Sequence, residues 1–492
     1  MNRREFLKYS ALWAASSGIA SGGCVTLSKP LKPAAPLLSP GESLLLTNCN
    51  VLNVEDGTII SPGHILIRDK HIEGVFHRSD IPRANRTLDL KGLYVIPGLI
   101  NNHCHLTIPG ISGVSLKLLG SIKRQIERNV EECLRHGVTT VRDMLGHAGA
   151  IEGLRKRISQ NKLVGPRIVR GAAIQIDGGY FAILSLVFGA RGMRIVHSQN
   201  EAQEAVDRAH KEGADFIKVF LQYNELLIPA VPLPVMSDQE LSAVRYEADN
   251  FGLVTAVHHT TLEGFRRALK AGIPSLEHMP VDGEFSGADI EEFVRRGFGI
   301  VPTDSVAWAL SYKRNGDPNS ESPEVAEIIE DREKRLEALL DEFAEEEIKR
   351  ISMKYFRKFS NPDYFDHRHL IPCPEPRSFN AAAVIGRKNL LTLVRAGALI
   401  GCGNDGGIPF LFPGMMGLEM SLLQLIGVKP KDILKMATVN NAKILRMSDK
   451  IGIIKKGALA DLVVLSANPL DDIANLSRIE KVFFEGQLKY SS

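Results

Sequence analysis

The chain has 492 residues, of which 44% are hydrophobic and 24% charged, and its formal net charge is +3. That length holds one large domain beside a smaller one, and the composition is ordinary for a globular enzyme. So small a net charge gives no support for a nucleic-acid partner or an anionic membrane face.

The first residues stand apart from the fold. Asn2-Arg3-Arg4-Glu5-Phe6-Leu7-Lys8 resembles a bacterial twin-arginine export signal, and an apolar stretch from Tyr9 to Ala20 follows it. That stretch is too short for a standard transmembrane helix. Residues 1–23 therefore read as a signal segment, which places the protein in the periplasm or cell envelope. Ser21-Gly22-Gly23-Cys24 looks like a lipoprotein box with Ser21 where leucine is usual. Lipidation of Cys24 and ordinary cleavage nearby both stay open, and a lipid anchor is the one membrane contact expected. Residues 24–42, with Pro30, Pro33, Pro36 and Pro40, read as a linker.

Short strands follow. Leu44-Leu45-Leu46-Thr47, Val51-Leu52-Asn53-Val54, Ile65-Leu66-Ile67-Arg68 and Ile72-Glu73-Gly74-Val75 are separated by turn residues. The C-terminal end returns to this texture, with strands at Leu462-Val463-Val464-Leu465 and around Lys481-Val482-Phe483-Phe484. Residues 43–94 and 447–492 are thus expected to build one small β-sandwich from both chain ends.

Between them, apolar strands alternate with amphipathic helices. The strands end at His105, Asp143, Gly171, Phe220, His258, His278, Pro302 and Asp405. The helix before the fifth opens on Ser237-Asp238-Gln239-Glu240, a capping box with Ser237 as N-cap. Eight strand–helix alternations over residues 95–446 predict an α/β (β/α)8 TIM barrel rather than an open doubly wound sheet, because no phosphate-binding glycine fingerprint follows an early strand. Residues 304–378 do not fit eight even units. This insertion includes a charged stretch from Ser322 to Lys358 that reads as a solvated helical arm, with a lid or subunit contact as the other reading. The six cysteines form no CxxC pair and no disulfide framework, and those after Cys24 read as small buried hydrophobes.

The chemistry-bearing residues fall at strand ends. Alternation puts His103 and His105 on one side of the first strand, where two imidazoles can chelate a divalent cation. Lys218 lies on strand four, His258 ends strand five, His278 ends strand six and Asp405 ends strand eight. All six approach one rim of the barrel.

These pieces carry a resemblance. Val95-Ile96-Pro97-Gly98-Leu99-Ile100-Asn101-Asn102-His103-Cys104-His105, Phe216-Ile217-Lys218-Val219, Thr255-Ala256-Val257-His258, Ser275-Leu276-Glu277-His278 and Gly403-Asn404-Asp405 are similar to motifs of the amidohydrolase superfamily. Within it, the chain resembles the imidazolonepropionase-like and Xaa-Pro dipeptidase-like branch. The resemblance implies two divalent metal ions, zinc (Zn2+), with His103, His105 and Asp405 holding one and His258 and His278 the other. Lys218 would be carboxylated by CO2, and the carbamate would bridge both ions. Asp405 would take a proton from the attacking water and pass it to the leaving amine.

Departures from the family concern the substrate. Gly178-Gly179-Tyr180 stands where the family has Gly-Gly-His, and Leu221-Gln222-Tyr223-Asn224 replaces a Ser-Gly-Gly loop. Tyr180, Tyr223 and Arg142 are therefore candidate substrate contacts, although Arg142 also suits a structural pairing with Asp143 or a carbonyl. Phe181, Phe410 and Phe412 suit an apolar pocket or core packing. The expected activity is cleavage of an amide bond in a small N-acyl amino acid or Xaa-Pro-like dipeptide, in a homo-oligomer. Hydrolysis of a lactone, carbamate or other ester, or a non-catalytic metal-binding surface lipoprotein, are the alternatives.

Overall fold

The computed structural model describes residues 31, 38–77, 81–110, 118–180, 193–223, 233–313, 316–361 and 376–492. The expected signal segment, Cys24, most of the expected linker and Phe181 lie outside the described residues. Among those described, no helix is long and apolar enough to cross a membrane.

Two sheets organise the chain. The first takes β1 (Ser43–Leu52), β2 (Ile59–Arg68), β3 (His71–His77), β4 (Arg86–Asp89) and β5 (Tyr94–Pro97) from the front. The second contains β6 (Leu99–Cys104), β7 (Val138–Asp143), β8 (Arg167–Ile176), β9 (Met193–Val196), β10 (Phe216–Leu221), β11 (Val254–His259), β12 (Ser275–Glu277), β13 (Gly299–Val301) and β14 (Leu399–Ile400). From the far end β15 (Leu462–Leu465), β16 (Ile479–Phe484) and β17 (Gln487–Ser491) rejoin the first sheet, in the order β17-β16-β15-β5-β1-β2-β3 with β4 beside β1.

β5 is the seam of the first sheet. It pairs in parallel with β1 at Asn50 and Val51, and antiparallel with β15 through Ile96 and Val463. Apolar residues from both ends share one core, including Leu46, Ile65, Ile67, Val95, Leu462 and Val464. Both chain ends thus meet in one continuous sheet, which forms the expected small β domain. Lys70, in the turn after β2, pairs with Glu485, in the turn after β16, at 2.6 Å, and its carbonyl accepts from Ala460 N.

The second sheet is the expected barrel. β6, β7, β8, β10, β11, β12, β13 and β14 run in that order, every pair parallel. Closure comes from the backbone: Asn102 N donates to Cys402 O at 3.1 Å, Asp405 N to His103 O at 2.9 Å and His105 N to Gly406 O at 2.7 Å. β9, which the sequence did not announce, adds to β8 outside this ring. The eighth strand is regular only over Leu399–Ile400. Beyond it Asn441 takes over, donating to Ile100 O and Cys402 O and accepting from Cys402 N. Gly403 is required there, because a Cβ at that position would lie 2.6 Å from His103 N. The Ser237 capping box is present, with the Ser237 hydroxyl accepting from Glu240 N and Glu240 accepting from Ser237 N. The four described cysteines, Cys49, Cys104, Cys133 and Cys402, are buried and free.

The insertion corrects the expectation of a solvated arm. Its helices Ser305–Leu310, Pro323–Phe343 and Glu346–Phe359 carry alternating charges outward, but they bury a second hydrophobic cluster. Trp308, Ile328, Leu340, Phe343, Ile351 and Phe359 pack there with Phe410 and Phe412, so both phenylalanines serve the core. The continuous charged stretch breaks at Ala344–Glu345, where Gln125 donates to Phe343 O at 2.8 Å and accepts from Glu345 N at 2.6 Å. A buried ion pair anchors the base of the insertion: Arg387 grips Asp304 through Nε at 2.9 Å and Nη2 at 2.7 Å.

Candidate active site

The six strand-end residues meet at the C-terminal rim of the barrel. His103 closes β6 and His105 follows it; Lys218 lies within β10, and His258 near the end of β11. His278 comes directly after β12, and Asp405 follows the closing turn after β14. The rim has unusual backbone. His278 (φ +71°), Thr303 (φ +54°) and Asp405 (φ +49°) all occupy the left-handed region, which non-glycine residues seldom adopt. That strain turns His278 and Asp405 out of strand alternation and into the cluster.

Donor atoms converge. Asp405 Oδ1 is 2.9 Å from His105 Nε2 and 3.3 Å from His103 Nε2. Ligand-type atoms of His103, His278 and Asp405 all lie within 4.8 Å of one another. The His258 and His278 ring centroids are 4.6 Å apart, and those of His103 and His278 are 4.8 Å apart. His258, rather than its neighbour His259, belongs to this group. The His259 ring packs edge-on against Phe265, and neither of its nitrogens has a hydrogen-bond partner.

Each site imidazole has its other nitrogen occupied. His103 Nδ1 contacts Glu277 Oε2 at 2.8 Å, and His105 Nδ1 contacts Leu145 O at 3.2 Å. His258 Nε2 lies 3.1 Å from Gln222 Oε1, and His278 Nδ1 lies 2.7 Å from Thr303 Oγ1. The remaining nitrogens are Nε2 of His103, His105 and His278 and Nδ1 of His258, the first two of them beside Asp405 Oδ1.

Two buried polar atoms bear on whether the donor set suits a cation. Asp405 Oδ1 has no aligned hydrogen bond despite its near neighbours, and Lys218 Nζ has none at all. A buried polar atom without a partner is costly, so the Asp405 oxygen fits a site that a divalent cation completes, while the Lys218 nitrogen, with no lone pair as an ammonium, stands unsatisfied beside it. The electrostatics agree. Burial foremost, with the crowding of neighbouring site groups adding to it, pushes His258 and His278 well below the usual imidazole range, so both stand neutral. Against its burial, His103 and His105 hold Asp405 well below the usual carboxylate range. Burial draws the Lys218 ammonium down to about 8, with Glu277 opposing the shift.

The candidate substrate contacts separate. Tyr180 is buried and stacks on His258 with centroids 4.8 Å apart and planes 21° apart, so it lies against the cluster. Tyr223 directs its hydroxyl to Arg267 Nη1 at 2.9 Å and Glu263 Oε1 at 3.2 Å, on the helix Leu262–Lys270. Arg142 is 0% exposed and has a structural pairing, but with neither Asp143 nor a carbonyl. Its Nη1 bonds Ser275 Oγ at 2.9 Å and Glu277 Oε1 at 3.1 Å, and its guanidinium sits 4.2 Å over the Phe216 ring.

Sequence reasoning did not assign roles to Glu277, Gln222 or Thr303. Ser275-x-Glu277 offered a signal, since two polar residues at alternate positions of a buried strand must face something inside the barrel.

An eight-stranded parallel barrel bearing four imidazoles, a lysine and a carboxylate at its C-terminal rim is the architecture of a barrel hydrolase. The family model described as the amidohydrolase family matches residues 94–489, so the chain belongs to that family and is a hydrolase acting on carbon–nitrogen bonds. Ochratoxinase of Aspergillus niger is 24% identical over 453 residues, covering 85% of this chain and 80% of that protein. A solved Xaa-Pro dipeptidase with methionine bound in its active site superposes with a TM-score of 0.68 at 22% identity, over 92% of this chain and 100% of the other. A prolidase complexed with N-methylphosphonate-L-proline gives 0.67 at 23% identity, over 92% and 100%. At these identities the solved structures speak for the fold alone.

Proposed function

We propose that the protein is an exported two-metal amidohydrolase that cleaves an amide bond in a small N-acyl amino acid or Xaa-Pro-like dipeptide. The observation that carries this reading is the convergence of His103, His105, His258, His278 and Asp405 at one rim of the barrel, where the buried Nζ of Lys218 also lacks a partner. His103, His105 and Asp405 would hold one ion, and His258 and His278 the other. Two bound zinc ions would supply carbonyl polarisation and a water acidified toward neutral pH.

The chain's own residues do the rest. With its ammonium drawn down to about 8 by burial, Lys218 presents a neutral amine to CO2 more readily than an ordinary lysine. Its lone pair forms the N–C bond, a proton leaves, and the carbamate offers two oxygen donors where the ammonium offered none. Asp405, kept ionised, accepts the proton of the attacking water and returns it to the leaving amine. The Tyr180 ring, stacked on His258, walls one side of the cluster and would meet the substrate there.

Metal analysis of purified protein, with hydrolysis assays on a panel of N-acyl amino acids and Xaa-Pro dipeptides, tests the proposal. Two equivalents of metal and turnover of a panel member are expected. Two equivalents with no turnover of any member would overturn the substrate reading.

A further inference from the structure

The second nitrogens of the four site imidazoles meet chemically different acceptors. Three are neutral: the Leu145 carbonyl, the Gln222 amide oxygen and the Thr303 hydroxyl. The fourth is a carboxylate, Glu277 on His103. Glu277 is itself held. Its Oε1 accepts from Arg142 Nη1 at 3.1 Å and Ser275 Oγ at 2.9 Å, while Ser275 Oγ also accepts from Arg142. His103, Glu277, Arg142 and Ser275 are all buried, and none of them sits in a loop.

This arrangement has a directional consequence. An ionised carboxylate can only accept, so the proton between Glu277 and His103 belongs to His103 Nδ1. The tautomer is thereby fixed, and Nε2 is left with its lone pair aimed toward Asp405 Oδ1, 3.3 Å away. A carboxylate acceptor at Nδ1 orients an imidazole and strengthens it as a metal ligand more than an amide, hydroxyl or carbonyl acceptor does. Arg142 balances the Glu277 charge within the barrel, which allows the carboxylate to stay ionised without solvent.

We propose that Glu277 is a positioning residue that makes His103 the strongest imidazole donor of the site, so that the ion held by His103, His105 and Asp405 binds ahead of the ion held by His258 and His278. The inference rests on the two-metal reading above and adds an order to it. Arg142 acts one contact further out, as the counter-charge of Glu277.

The test is a zinc titration of metal-free protein against a competing chromophoric chelator, repeated with Co2+ to follow its visible absorption. The wild-type protein should bind two ions in separate steps. Glu277→Gln should weaken the tighter step by about 10–100-fold and shift the absorption of the first Co2+ bound, leaving the looser step in place. Equal weakening of both steps would show a merely structural role and overturn the proposal, as would two unchanged steps. Should Glu277→Gln fail to fold, Ser275→Ala removes one hydrogen bond from the same carboxylate and should produce a smaller shift in the tighter step alone; an unchanged titration there overturns it equally. Fewer than two ions bound by the wild-type protein would defeat the two-metal reading itself, an outcome distinct from unchanged steps in the variants.

Discussion

Replacing Lys218 by methionine should make the metal-free protein more stable while abolishing its activity. The side chain is 2% exposed and its Nζ has no partner. Burial lowers its pKa from 10.5 to about 8. A base with a depressed folded-state pKa destabilises the fold at every pH below that value, and the penalty fades as pH rises from about 8 toward 10.5. At 1.36 kcal/mol per unit, the ammonium costs the folded state about 3 kcal/mol at pH 7. Methionine has nearly the volume of lysine and no charge, so it opens no cavity and removes that cost. Thermal unfolding in chelator and CO2-free buffer should show a rise on the order of 3–5 °C at pH 7 for a chain of this size, shrinking to under about 1 kcal/mol of advantage at pH 10. With metal and bicarbonate restored, the variant should be inactive. A Lys218→Met protein that is destabilised by the same amount at pH 7 and pH 10 would refute the reasoning, because the lysine would then be contributing packing rather than a buried charge.

The same pKa sets the pH dependence of reactivation. Bicarbonate-dependent recovery of metal-free enzyme should speed up as pH rises through about 8, where the Lys218 amine becomes neutral, and a flat profile from pH 6 to 9 would contradict this. Arg387→Met leaves Asp304 buried without its bidentate partner and should cost about 3–5 kcal/mol in urea unfolding; a loss below about 1 kcal/mol would mean water replaces the guanidinium. For the export reading, Arg3→Lys with Arg4→Lys should leave precursor in the cytoplasm, which cell fractionation would detect as a loss of the envelope-located form.

The eight barrel strands were legible because short, mostly apolar stretches alternate with helical patterns, and the site because its side chains stand near where those stretches end. Asp405 and His278 could be named but not aimed, since their left-handed backbone is imposed by the surrounding rim. The partner of Arg142 lies more than 130 residues away across the barrel interior, beyond any local pattern. The insertion was misread for a related reason. Ile328, Leu336, Leu340 and Phe343 form a buried face on a helix whose sign-alternating charges dominate the sequence. Its break at Ala344–Glu345 depends on Gln125, some 220 residues earlier. The Tyr223 hydroxyl is claimed by Glu263 and Arg267 for the same kind of non-local reason.

β5 borrows its two neighbours from stretches of chain more than 400 residues apart in order, β1 before it and β15 after the barrel. β1 is made before it, but β15 emerges only after the whole barrel has left the ribosome. Until β15 is made, β5 therefore keeps an open edge, one residue from the strand that carries His103. Until β15 pairs with it, the strand that leads into the barrel is half-paired, and β15 acts as the latch. A chain that stops short of Leu462 would keep every candidate ligand and lose the edge that steadies the first two.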